Sequence, residues 1–388
     1  MRNWVLRGLM ALALCAAWMF SAEAKELPTV VWTRDVYGVD DTDKNIQKEW
    51  HLLTDEGKAR IAEAITRKLE EQQKQGKLPF KLAEASAEQE RNAEIMAESP
   101  ISIVPIVVTD AAFHWEYKVK EQDLHKYVLA SALDIAFCSV DEGGALQMLA
   151  NIPLHFYTVL PESGALHDMR KLAPEEQQEL YTRFTVRMIE QGLDFAKEKR
   201  LLRHIEDKAE GIEDTYQVTD VVISSPKAQE VFAGYNGARA AYVKKVVGDM
   251  FSSAYARRTG HVVFPSRASG TWNDDAVKGT YSLRLSSMHS GEKVMVLPPP
   301  DHPITLDVTG VGKQEIETKK KSYVNGFMGY KVWLAKSFVE GKEEKEATNW
   351  TQQEFIRLQS GAINIEDHDV FRMLLIGAAV TLGDQKID

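Results

Sequence analysis

The chain has 388 residues, 44% of them hydrophobic, and a formal net charge of -10 at pH 7. That is enough apolar chain for a sizeable core, and the length suggests two domains. The acidic balance weighs against backbone binding of nucleic acid, which calls for a basic face, and the dense basic run Lys319-Lys320-Lys321 lies beside Glu315 and Glu317.

Arg2 and Arg7 form a basic start, Gly8 to Phe20 carries no charge, and Ser21-Ala22-Glu23-Ala24 ends in a small-x-small pattern. This is the layout of a cleavable signal peptide over residues 1–24, with Ala22 and Ala24 as the cleavage positions and Lys25 as the mature start. The apolar run is about 13 residues, short of the roughly 20 that span a bilayer. Export to the periplasm or beyond follows as an expectation, with no membrane span after cleavage. Cys15 follows a bulky Leu14 inside the apolar run and reads as filler rather than a lipid-attachment site. Cleavage leaves Cys138 alone, so the mature chain has no intrachain disulfide to lean on. Its strand places Cys138 with Ala130, Ala132 and Ala136, which predicts a buried thiol.

Thr29 to Tyr37 reads as a strand, and Asp40, Asp41 and Asp43 as an acidic loop. Ile61, Ile65 and Leu69 then repeat at helical spacing behind a Thr54 cap, and Gly76 stops the helix. Pro79 to Leu82 is extended, and Ser86 to Glu98 predicts a short polar helix. Ile101 to Val108 suits a buried strand. Phe113, Trp115, Tyr117 and Val119 alternate with polar residues, Tyr127, Leu129, Leu133, Ile135 and Phe137 share one face of the next strand, and Met148, Ala150, Ile152, Leu154 and Phe156 one face of the strand after it, which suggests an antiparallel meander. Pro174 to Ile205 predicts one long helix. The order then restarts: a strand at Tyr216 to Ser224, a helix from Ala238 to Arg258 with Tyr242, Val246, Met250 and Ala254 on one face, and an extended piece after Gly260. Strands follow around Leu283, Leu306 and Val332, and Val370 to Leu382 closes as a helix.

The implied fold class is α+β: two mixed sheets with packed helices, read as a duplicated βαβ-plus-meander module. The domain reading is an N-terminal module over 25–170, a helical linker over 171–212 and a C-terminal module over 213–388. Ile65 and Val246 become equivalent core positions, with Arg67 and Lys245 on exposed faces. The segments Ile61-Ala62-Glu63-Ala64-Ile65 through Gly76 to Phe80, and Val246-Val247-Gly248-Asp249-Met250 through Gly260 to Phe264, resemble periplasmic modules of the TolB amino-terminal and CsgG type. The resemblance covers the two βαβ openings, about a quarter of the chain. It implies a non-catalytic envelope module and carries over no functional residue.

The chemical motifs mostly break. Ser224-Ser225-Pro226-Lys227 fits S-x-x-K, the spacing of a serine nucleophile and its lysine, but there the serine opens a helix and here Pro226 intervenes. The companion Lys-Thr-Gly is scrambled to Lys278-Gly279-Thr280. Gly310-Val311-Gly312-Lys313 lacks the first Gly and the final Ser or Thr of a phosphate loop. Asp41-x-Asp43-x-Asn45 has Ile46 where a calcium loop needs Gly. Glu366, Asp367, His368 and Asp369 point apart on a helix and suit its N-terminal end better than a metal. The histidines show no metal spacing, and His114 and His155 read as solvent-side or cross-strand residues. Trp115, Trp272, Trp333 and Trp350 default to packing, with a glycan groove as the alternative. No cofactor or metal is expected. The leading expectation is a non-enzymatic exported cell-envelope protein that binds a protein or polymer partner; the alternative is a serine hydrolase of wall or ester substrates using Ser224 and Lys227.

Overall fold

The computed structural model describes residues 27–39, 53–84, 101–119, 122–141, 144–160, 174–200, 202–205, 214–233, 237–268, 273–275, 280–287, 291–320, 323–340, 343–344, 356–359, 362–363 and 367–385. The signal peptide, the 40–46 loop, the 86–98 helix, Trp272, Lys278-Gly279, Trp350 and Glu366 lie outside the described residues.

The chain opens with β1 (Thr29–Trp32) and β2 (Tyr37–Val39). They are two pieces of the expected first strand, broken where Arg34 takes φ 60. Buried Asp35 fills the break: its Oδ1 accepts from Val36 N at 3.0 Å and its Oδ2 from Ser287 Oγ at 2.5 Å. Helix α1 (Asp55–Lys74) starts at Thr54, whose hydroxyl accepts from Gly57 N, as its sequence implies. Ile61, Ile65 and Leu69 are fully buried along one stripe, and Gly76 turns the chain out at φ 64. β3 (Lys81–Glu84) then runs parallel to β1.

β4 (Ser102–Val119), β5 (Gln122–Val140) and β6 (Leu146–Leu160) form the expected antiparallel meander. The buried run and the alternating run expected as separate strands are one strand, β4, bent by a bulge between Val107 and Thr109. Helix α2 (Pro174–Gly192) is shorter than the single helix expected to Ile205. After Gly192 the Asp194 carboxylate accepts from Ala196 N, and the chain continues as two 3-10 turns, Lys197–Arg200 and Arg203–Ile205. Leu133, Ile135, Phe137, Ile152 and Leu154 on this sheet meet Ile61, Ile65, Leu69 and Ile189 of α1 and α2 in one core.

The second half repeats the order. β7 (Tyr216–Val222) leads through α3 (Pro226–Phe232) and α4 (Gly237–Thr259) to β8 (Val263–Phe264), parallel to β7. Before the pattern resumes, β9 (Asn273–Asp275), β10 (Thr280–Ser286) and β11 (Glu292–Leu297) cross to the first sheet, where β11 pairs β6 and β10 pairs β2. β12 (His302–Lys320) lies parallel to β7, and β13 (Tyr323–Glu340) is antiparallel to it. The short β14 (Glu343–Glu344) and β15 (Ile356–Gln359) pair β13, β16 (Ala362–Ile363) pairs β4, and α5 (Asp367–Asp384) closes the chain. The order β3-β1-β4-β5-β6 in one sheet thus matches β8-β7-β12-β13-β15 in the other, with the same directions. β12 also bulges where β4 does, between Val308 and Gly310.

The two sheets do not sit side by side. Helices α4 and α5 lie between them, touching Ile304, Leu306, Val308, Val332 and Leu334 of the second sheet and Val108, Ala111, Val128, Ala130 and Ala132 of the first. The alanines lower the back of the first sheet so that α4 can approach. Where α5 crosses α4, a Cβ on Gly383 would stand 2.8 Å from the Phe251 carbonyl oxygen, so only glycine fits that crossing. Cys138 is fully buried on this small-residue face, and burial pushes its thiol well up.

Candidate functional site at the junction of the sheets

A helix that faces two sheets has no solvent side, and α4 is buried almost without a break from Tyr242 to Ala256. Its charged residues Lys245 and Asp249 find their partners inside. This corrects the reading of Lys245 as an exposed position: it is 6% exposed and points into the junction. The sequence signal was misleading, because a lysine and an aspartate four apart on a helix usually form a solvated surface pair.

The bulge in β4 explains the lysine. An extra residue in a strand leaves its backbone outside the ladder, and here the Val108 carbonyl accepts from Lys245 Nζ. The same ammonium donates to Asp249 Oδ2 at 2.6 Å, one turn on. Asp249 Oδ2 also accepts from Thr109 Oγ1 at 2.8 Å, and its Oδ1 from Ser266 N at 3.1 Å. The carboxylate therefore ties β4 of the first sheet to α4 and to the segment after β8. Gly248 makes room for this, since a Cβ there would collide with Ser266 Oγ.

Asp134 joins the cluster from β5. It is 4% exposed on the alanine face, and its pKa rises from 3.8 to about 7, first through burial and second through the charge of Asp249. A hydrogen bond with Asn151 and the Lys245 charge oppose the rise. Asn151 Nδ2 donates onward to the Val263 carbonyl at 3.1 Å, adding another tie across the junction.

Beside this cluster a cavity of about 210 Å³ opens between β2, β4, α1, α4 and β10. Lys58, Thr109, Asp110, Tyr242, Lys245 and Ser286 supply its polar wall, and Val39, Leu53, Val107 and Val108 its apolar wall. Tyr242 Oη donates to the Asp110 carbonyl at 2.9 Å, and Asp110 Oδ2 accepts from Leu53 N at 2.8 Å. None of these residues stands out as a site in the sequence, where Lys245 reads as an exposed helix position. They come from five elements spread between positions 38 and 286, and only their convergence marks them.

The sequence candidates lie elsewhere. Ser224 is exposed beyond the end of β7, with its backbone N–H on Asp307 Oδ1 at 3.0 Å. Ser225 caps α3, accepting from Ala228 N, and Pro226 and the exposed Lys227 form the first turn. Gly310 and Gly312 lie in β12 beneath the Trp333 ring, where a Cβ on either would come within 3.0 Å of it. Lys313 pairs with Asp367 at 2.7 Å, at the start of α5, and Tyr330 Oη donates to the same oxygen at 3.0 Å. Cationic Lys313 thus meets the acidic N-terminal end of that helix. His155 is largely buried, and burial together with Arg257 lowers its pKa to about 4. Among the described residues no group of three or more His, Cys, Asp or Glu could hold a metal ion, and no helix is long and apolar enough to cross a membrane.

No protein-family model matches the chain, and no curated protein is significantly similar to it.

Proposed function

We propose that the chain is a non-enzymatic, exported cell-envelope protein that binds a protein or polymer partner along the edges of its two long hairpins. The observation that carries this reading is their matched geometry. Beyond the bulge, β4–β5 and β12–β13 each hold eleven paired positions, and in each the two strands are two residues apart in sequence. That is roughly 35 Å of ladder in each, at about 3.2–3.4 Å per residue. Among the described residues, β7 pairs with β12 only as far as Asp307, and no strand covers the β4 edge between Thr109 and Tyr117.

Long strand edges with unclaimed N–H and C=O groups invite strand addition, and proteins that do not use them blunt them. The distal sequence of β12 carries Lys313, Glu315, Glu317, Lys319 and Lys320, so it supplies no continuous apolar face of the kind a membrane strand presents. A polar partner that adds main-chain pairing suits it better. Export rests on the N-terminal sequence pattern. The resemblance to TolB amino-terminal and CsgG modules agrees with a binding role and stands as part of the same proposal.

Shortening one hairpin tests the reading. A chain lacking Glu317–Gly326, rejoined through an Asn-Gly turn so that Ile316 still faces Phe327, should keep a cooperative unfolding transition and lose co-purification of its partner from the envelope fraction. Undiminished co-purification would overturn the assignment to the hairpin edges.

A further inference from the structure

We propose that the open stretch of the β4 edge is an acceptor slot for an extended peptide of the partner, which runs antiparallel to β4 and sets one uncharged side chain in the cavity at the foot of the slot. The inference rests on the hairpin-edge reading above and deepens it by selecting the edge, the direction and a polypeptide. β5 pairs with β4 from Ser102 to Val119, so β1, β2 and β16 share the other edge. On that edge β2 reaches as far as Val107, and β16 pairs at Lys118 and Val119. Among the described residues no strand pairs with the positions between. The Val108 and Asp110 carbonyls are taken by Lys245 and Tyr242, which leaves Ala111 to Tyr117 as the ladder on offer. At about 3.3 Å per residue that is roughly 23 Å, about the length of an ordinary strand.

The cavity meets the slot at its lower end. Helix α1 packs on one face of the first sheet and α4 on the other. A cavity lined by Lys58 of α1, by Tyr242 and Lys245 of α4 and by Thr109 and Asp110 of β4 therefore straddles that edge. Its described charges balance, Lys58 and Lys245 against Asp110 and the Asp249 that Lys245 holds. Such a wall has no charge left over to pay for burying an ion, and Val39, Leu53, Val107 and Val108 offer an apolar bed to an uncharged side chain. At about 30 Å³ for each displaced water, the 210 Å³ equals roughly seven waters, room for one large side chain. Direction follows from the neighbours. The parallel β2 stops below the bulge, whereas β5 and β16 both run antiparallel to the upper part of β4. A peptide in line with β16 descends from Tyr117 to Ala111, so its C-terminal part reaches the cavity. A polypeptide repeats N–H and C=O groups at the spacing of the ladder, which a polysaccharide does not.

The test pans a phage-displayed library of random peptides of about nine residues, long enough to cover the slot, on the mature chain. Synthetic copies of the enriched sequences are then followed by isothermal titration calorimetry and amide hydrogen exchange. These peptides should carry β-branched residues and one bulky uncharged residue toward the C-terminal end. Their binding should slow exchange from Ala111 to Tyr117 and leave Lys313 to Lys320 unchanged. Ser286→Leu, which fills the cavity, should weaken binding about tenfold, as the loss of one anchoring side chain does. The exposed control Lys81→Met should leave it unchanged. No enriched peptide, a charged residue at the anchor position, protection that misses Ala111 to Tyr117, or wild-type affinity in folded Ser286→Leu would each overturn the proposal. The chain shortened in β12–β13 keeps the slot and should still take these peptides. If it takes them and also keeps its partner, the assignment to β12–β13 fails and the slot stands.

Discussion

Replacing Asp134 by asparagine should flatten the pH dependence of stability, because this carboxyl is the group most displaced toward neutrality at the junction. Its pKa is 3.8 when free and about 7 in the fold, where burial and the Asp249 charge favour the neutral form. A raised carboxylate pKa means that the native state holds a proton which the unfolded chain has already released. The favourable state is complete below pH 4. It is eroded as pH rises through the interval between the two values, and above about pH 7 the fold carries a buried charge. About three pH units at 1.36 kcal/mol each give a swing on the order of 4 kcal/mol. Asparagine has nearly the same shape and no charge to bury. Urea unfolding midpoints of both chains from pH 4.5 to 8 provide the assay. The two should nearly coincide at pH 4.5, and the variant should gain steadily on the wild type to become the more stable at pH 8. A flat difference across that range, or a variant that loses ground as pH rises, would refute the placement of a protonated Asp134 opposite Asp249.

Lys245→Met should cost about 3–5 kcal/mol in the same unfolding assay, since it strands the buried Asp249 charge; Lys245→Met with Asp249→Leu should recover part of that loss. Ile65→Ala should cost about 2–5 kcal/mol and Val246→Ala somewhat less, because both side chains are fully buried mid-helix; costs under about 0.5 kcal/mol would mean that these helices do not carry their cores. Cys138 should react with a thiol reagent in the native state only at the rate of unfolding, as a buried thiol with a raised pKa must; fast native labelling would contradict its position. A fluorophosphonate probe should leave Ser224 unlabelled, and labelling lost in Ser224→Ala would restore the hydrolase reading.

Much of the architecture was legible because local and tertiary signals agree. Thr54, the 61-65-69 stripe and Gly76 specify α1 without help from the rest of the chain, and the β5 alternation separates Leu133, Ile135 and Phe137 from the alanine face. The sequence order also disclosed the repeat. What it hid was the second face of α4. Lys245, Gly248, Asp249, Ser252 and Ser253 look like a solvent stripe, yet they are buried against the first sheet, and besides each other Lys245 and Asp249 find partners more than a hundred residues upstream or just past the helix. The crossing of β9–β11 into the first sheet was hidden for a related reason. Strands choose partners by edge availability and packing, which alternation alone does not encode. The cavity inherits both difficulties, since α4 and β10 supply part of its wall.

The central claim, that the chain works by binding along its hairpin edges, is tested most directly by site-specific photo-crosslinking in the producing cell. A photoreactive residue would be placed in turn at Glu121, between β4 and β5 in the sequence, at Ser322, between β12 and β13 in the sequence, and at Glu63 on the exposed face of α1. The account predicts a discrete adduct from one or both hairpin positions and none from Glu63. Adducts from Glu63 alone, or none from either hairpin in cells where the chain is exported and folded, would contradict it.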